Sequence, residues 1–205
     1  MELRDALCQV SEIRRQMARS EVFRGYRSLT VAASGGMALI AAAIQPVLIP
    51  APASDLGAYL SLWIAMAAIS ILIAGTEMWW RARQAGPGLS RQMTLLAVEQ
   101  FIPSIVAGGL LTLFIYRSAT EISWMLPGLW AVLFSLGIFA SCRWLPRPVF
   151  AVGAYYFVCG FACLVWGHGS AALSPWQMGV SFGGGQMFGA AVLYWTLERT
   201  DATKT

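Results

Sequence analysis

Charge is scarce in this chain: 12% of its 205 residues are Asp, Glu, Lys or Arg, against 58% that are hydrophobic. Soluble domains devote about a quarter of their residues to charge, and a small globule keeps much of its area in water. The composition therefore excludes an ordinary soluble globule and calls for lipid as solvent. Histidine is scarcer still, with His168 alone in a Gly-His-Gly-Ser turn. One histidine excludes bis-histidine haem ligation and a two-histidine zinc site. The four cysteines, Cys8, Cys142, Cys159 and Cys163, contain no Cys-x-x-Cys pair, so neither a zinc knuckle nor a thiol oxidoreductase of that type is indicated. Cys159 and Cys163 share a helical face and read as small packing residues. There is no Gly-x-Ser-Gly nucleophile signature and no glycine-rich loop followed by lysine. The expectation is a protein that is not an enzyme, with no catalytic residue, metal site or cofactor. A net charge of +4 would suggest nucleic acid in a soluble protein. Here the arginines flank apolar runs, the bilayer accounts for them, and no nucleic-acid partner is expected.

What the chain does have is apolar length. Six runs of about 20 residues, each enough for roughly 30 Å of hydrocarbon, are predicted near Leu29–Ile49, Ala58–Trp79, Met93–Ile115, Ile122–Ser141, Val149–Trp166 and Pro175–Trp195. Turn chemistry separates them: Pro-Ala-Pro-Ala-Ser-Asp after the first, two glycines around Pro87, prolines at Pro146 and Pro148, and a Gly/Ser stretch before Pro175. The predicted fold is all-α: an integral membrane bundle of six transmembrane helices over residues 28–197, a preceding cytoplasmic amphipathic helix at 1–27, and a short tail at 198–205. In the leading segment Leu3, Ala6, Val10, Ile13 and Met17 fall on one helical stripe. That stripe suits the bilayer surface, and it could also contact a protein partner or form a homo-oligomer. The Ala-x-Ala pattern at Pro-Ala-Pro-Ala-Ser resembles a signal-peptidase site, but the segments before it are too long for a cleaved leader.

Arginine sets the expected orientation. With the N-terminus in the cytoplasm, every Lys and Arg except Arg117 falls on the cytoplasmic side. Both termini are then cytoplasmic. Trp79, Trp80, Trp144 and Trp195 would mark the inner interface, Trp124, Trp166 and Trp176 the outer one, while Trp63 and Trp130 sit deeper.

Two groups of residues stand out. Gly179 and Gly183 form one Gly-xxx-Gly pair and Gly185 and Gly189 another. At the helical period the second pair is turned by about 120° from the first, giving the last span two close-approach faces. Ionisable groups inside apolar spans are functional candidates. Glu99, beside Gln100, precedes Pro103, which has no N–H to offer the Glu99 carbonyl and should bend the helix. The cluster could hold a cation, a proton or a polar ligand, or serve as internal bundle glue. Glu77 lies one turn before Arg81 and reads first as half of an ion pair near the cytoplasmic interface.

The stretches at 20–36, 95–112 and 126–148, reading SEVFRGYRSLTVAASGG, LLAVEQFIPSIVAGGLLT and LPGLWAVLFSLGIFASCRWLPRP, resemble a group of small bacterial multi-pass membrane proteins with no assigned activity. The resemblance implies a plasma-membrane location, the bacterial inner membrane, and carries no functional residue. Two functions are expected to compete. One is a regulatory or accessory subunit working through helix–helix and N-terminal contacts. The other is a small transporter or channel for an ion or polar molecule, with Glu99 near its site.

Overall fold

In lipid, each backbone N–H and C=O must find a partner within the protein, which favours helices for apolar runs. The computed structural model describes residues 28–84, 89–142 and 147–198, and among them there is no strand. The predicted amphipathic helix at 1–27 and the tail beyond Glu198 lie outside the described residues. The helices are α1 (Ser28–Leu48), α2 (Leu56–Gln84), α3 (Leu89–Ser118), α4 (Leu126–Ser141) and α5 (Val149–Trp166). A 3₁₀ segment at Thr120–Met125 leads into α4. Five helical stretches are long and apolar enough to cross a membrane: Ser28–Leu48, Leu56–Trp80, Val98–Ser118, Thr120–Ser141 and Val149–Trp166.

The last apolar run is built differently. α6 (Pro175–Met178) passes into a π-helical segment at Gly179–Gly184, then α7 (Gly185–Leu193), then a second π segment at Tyr194–Glu198. The joining residues are right-handed helical, with φ/ψ of −61°/−48° at Gly179, −63°/−41° at Gly185 and −57°/−49° at Tyr194. The rod is thus continuous through two wider turns. Its start agrees with the expected boundary at Pro175, where a ring-fixed φ suits the first helical turn.

α2 and α3 run further than their apolar runs predict, ending at Gln84 rather than Trp79 and at Ser118 rather than Ile115. A helix does not stop where hydrocarbon stops, because its hydrogen-bond ladder continues until turn residues end it. α3 also runs through Pro103.

The helices succeed one another around the bundle. α2 lies on α1, α1 on the rod formed by α6, α7 and their π segments, that rod on α5, α5 on α4, and α4 on α3. One apolar cluster, with Ala41, Tyr59, Trp63, Ile115, Leu126, Leu173 and Met178, fills the end where α1 turns into α2. A second, with Val31, Ile138, Val152, Tyr156 and Leu193, fills the opposite end. Against this second cluster Phe134 sits edge-on to Phe101 at 5.0 Å and to Phe182 at 5.7 Å, and packs on Tyr156 at 4.7 Å. Such ring pairs add about 0.5–1.5 kcal/mol each beyond their area. α2 and α3 share less of this core. Beyond Trp63 no described residue of α2 is buried, and before Thr112 none of α3 is.

Candidate functional site

The most concentrated buried polarity lies at the α1–α2 end. Gln45, one residue before Pro46 on α1, is 1% exposed. Its Nε2 donates to the Leu173 carbonyl at 2.9 Å, and its Oε1 accepts from Trp63 Nε1 at 3.1 Å. Both functions of a buried amide are thereby used, as a dry setting requires. Leu173 itself has φ 56°, a left-handed backbone that a branched residue seldom adopts. Its side chain is fully buried in the core. Burial of the side chain and the Gln45 bond to its carbonyl hold that costly conformation.

Gln177 on α6 is equally enclosed. Its Nε2 donates to the Ala171 carbonyl at 3.1 Å. Its own backbone carbonyl accepts from Ser181 Oγ, and Cys163 Sγ points at it from 3.9 Å. Gly167 makes room for the amide: a β-carbon there would lie 2.2 Å from Gln177 Nε2. Among the described residues, Tyr59 Oη and Gln177 Oε1 are buried without a hydrogen-bond partner in the protein. The π segment next to Gln177 is held from outside by Tyr155, whose hydroxyl donates to the Val180 carbonyl at 2.7 Å. A β-carbon on Gly184 would lie 2.5 Å from that hydroxyl, so this position also needs to be bare.

The sequence-expected residues are distributed around this cluster rather than in it. Phe101 faces the bundle, packing edge-on to Phe134 and filling the space beside Gly137. Glu99 and Gln100 are both exposed, on parts of α3 turned away from that contact. Glu99 is the second residue of the apolar stretch Val98–Ser118. Glu77 is half-buried and accepts a hydrogen bond from Thr30 on α1. The side chain of Arg81, its expected partner, lies outside the described residues. Glu77 thus engages α1, while Glu99 and Gln100 face outward from α3.

The glycines of the last rod meet two neighbours. Gly179 abuts Ala42 and Gly183 abuts Leu39, both on α1, with β-carbon distances of 3.0 and 2.6 Å. Gly185 faces the Tyr156 ring of α5 at 2.4 Å. Gly189 lies between Val152 and Val31 at 3.5 and 3.7 Å, where an alanine would fit.

His168 stacks edge-on to Trp124, with ring centroids 6.0 Å apart. No group of three or more His, Cys, Asp or Glu capable of holding a metal occurs among the described residues. Gln45, Tyr59 and Leu173 were not singled out by the sequence. An amide beside a proline inside an apolar run was the available signal for Gln45, and nothing in the composition flags Tyr59 or Leu173. Cys142, just past the end of α4, is free and half-buried, and burial pushes its thiol up from the ordinary value. No protein-family model, curated protein or solved structure matches the chain, so any functional reading rests on its own residues.

Proposed function

We propose that the chain is a six-span protein of the bacterial inner membrane, with both termini cytoplasmic, that serves as a regulatory or accessory subunit through lateral helix contacts. The observation that carries this reading is the uncovered stretch of α2 and α3. Ile69, Ile71 and Leu72 on α2 and Ile102, Ile105 and Val106 on α3 are exposed, and Glu99 and Gln100 lie exposed on the same part of α3. Lipid tails solvate the aliphatic side chains, but they offer nothing to a carboxyl or an amide. Polar groups on a membrane helix surface favour association with a helix that brings donors. The continuous helical rod at 175–198 supports a sixth crossing. The amphipathic pattern of residues 1–27 supports a second, cytoplasmic contact. A transporter with Glu99 near its site is the competing reading, and it draws less support from a glutamate turned away from the bundle.

The test is photocrosslinking in cells from a benzophenone side chain placed at Ile102 or Val106, with Phe161 on α5 as the comparison. We expect a protein adduct of defined mass from α3 that weakens in Glu99→Leu. Lipid adducts alone from both α3 positions would sink the accessory-subunit reading.

A further inference from the structure

We propose that the outward face of α3 around Glu99 docks a membrane-spanning helix of another protein that carries a Lys or Arg at the depth of Glu99; this partner presupposes the accessory-subunit reading above. α3 meets α4 through Phe101, Gly108 and Thr112. Phe101 packs on Phe134 at 5.0 Å, a β-carbon on Gly108 would touch Leu133 at 3.8 Å, and Thr112 Oγ1 accepts from Trp130 Nε1 at 2.8 Å. At about 100° per residue, Glu99 lies roughly 140–180° round the helix from all three. Ile102, Val106, Leu110 and Leu113 fall on the same outward side, and like Glu99 they are exposed.

One turn of that face is polar. Glu99 brings an acid side chain, and its backbone carbonyl has no helical donor, because Pro103, itself exposed, lacks an N–H. Lipid tails satisfy neither group, and an unsatisfied polar group in hydrocarbon is costly. The cations of α3 itself are too far for an ion pair: at 1.5 Å per residue Arg91 is roughly 12 Å away along the axis and Arg117 roughly 27 Å. Arg83 of α2 is laid over the Trp79 ring, 4.5 Å from its centroid. What fits the face is a cation with N–H groups to spare for the carbonyl, and a Lys or Arg on a neighbouring helix supplies both. A second copy of this chain does not. A symmetric pair through this face sets equivalent residues against each other, acid to acid and carbonyl to carbonyl, and brings no cation.

The test uses the full chain, with a fluorescent donor at its C-terminus, in phosphatidylcholine vesicles with acceptor-labelled Leu/Ala transmembrane peptides. One peptide carries a single Lys about eight residues from its end, the depth of Glu99 beyond Arg91; the others carry Leu or Glu there. We expect half-maximal energy transfer at about tenfold less Lys peptide than Leu peptide. Glu99 is exposed, so its substitution leaves the bundle packed: Glu99→Gln should erase the preference, and Glu99→Lys should move it to the Glu peptide. Equal transfer to the Lys and Leu peptides, or a preference that survives Glu99→Gln, would overturn the proposal. So would energy transfer between copies of the chain that is lost in Glu99→Gln, which would give the face to a second copy. The accessory-subunit reading fails separately, on lipid adducts alone from Ile102 and Val106. A defined protein adduct from those positions without a Lys preference keeps that reading and removes the basic partner.

Discussion

Gly128 on α4 and Gly160 on α5 meet backbone to backbone: a β-carbon on Gly128 would lie 2.8 Å from the Gly160 carbonyl oxygen, and one on Gly160 would lie 2.9 Å from that of Gly128. Small residues let helix backbones approach in lipid, where packing rather than water drives association. Here the small residues sit on different helices, which is why neither run shows a Gly-xxx-Gly pattern.

Either glycine should therefore resist even a methyl group. We expect Gly128→Ala or Gly160→Ala to destabilise the bundle by about 1–3 kcal/mol through overpacking. Gly75 and Gly109 have nothing within 4 Å of a β-carbon, and alanine there should be neutral or stabilising because it only restricts the unfolded backbone. Reversible unfolding in mixed micelles would compare the two pairs. Equal effects would mean that the α4–α5 approach does not limit stability.

Gly167→Ala should act on the polar cluster. Its new methyl group would meet Gln177 Nε2 and the Cys163 carbonyl, at 2.2 and 2.3 Å before any adjustment. Displacing the amide forfeits the bond to Ala171 and leaves buried groups unpaired, a loss of roughly 1–3 kcal/mol. Adding Gln177→Ala removes the clashing side chain, so the double variant should lose less than the two single losses combined. Additive losses would show that the amide is not what Gly167 accommodates.

Topology separates five crossings from six. Reporter fusions after Asp55, Arg117 and Gly169 are expected to read outside, and those after Gly86, Pro146 and Thr205 to read cytoplasmic. A C-terminal reporter on the outside would remove the last rod from the set of crossings.

Cys142 offers a pH dependence. A thiol whose ionisation is pushed up by burial holds less reactive thiolate at neutral pH than a free cysteine, whose pKa is about 8.5. Peptide-resolved alkylation should find Cys142 slower than a model thiol near neutrality. Its rate should keep climbing at alkaline pH after the model thiol has levelled off. Matching profiles would indicate an ordinary, solvated thiol.

The apolar runs and their turns placed α1 to α5 within a few residues, because run length and turn chemistry are local properties. The ends of α2 and α3 were set short, since hydropathy marks hydrocarbon and not the hydrogen-bond ladder. The site was less legible. Glu99 attracted notice as a carboxylate near Pro103, but which way it faces depends on Phe101 packing against Phe134 and Gly137, a tertiary fact. Gln45 and Gln177 were visible as amides in apolar runs. Their partners are the carbonyls of Leu173 and Ala171, and a carbonyl has no signature in a sequence.

The wide turn at Gly179–Gly184 has a consequence for how this chain can change length. A π segment holds one residue more than the α-helical turn it replaces, so it can be treated as an accommodated insertion. Deleting one residue within it would let the rod close into regular α-helix while what lies beyond keeps its facing, because the α turn covers the same rotation with one residue fewer. Gly185 would then stay on the Tyr156 ring, whereas the same deletion in a regular α-helical stretch would turn it away by about 100°. In any related chain that differs by a single-residue gap in this stretch, the residues on the two sides of the gap should be aligned as separate blocks, each keeping its own neighbour.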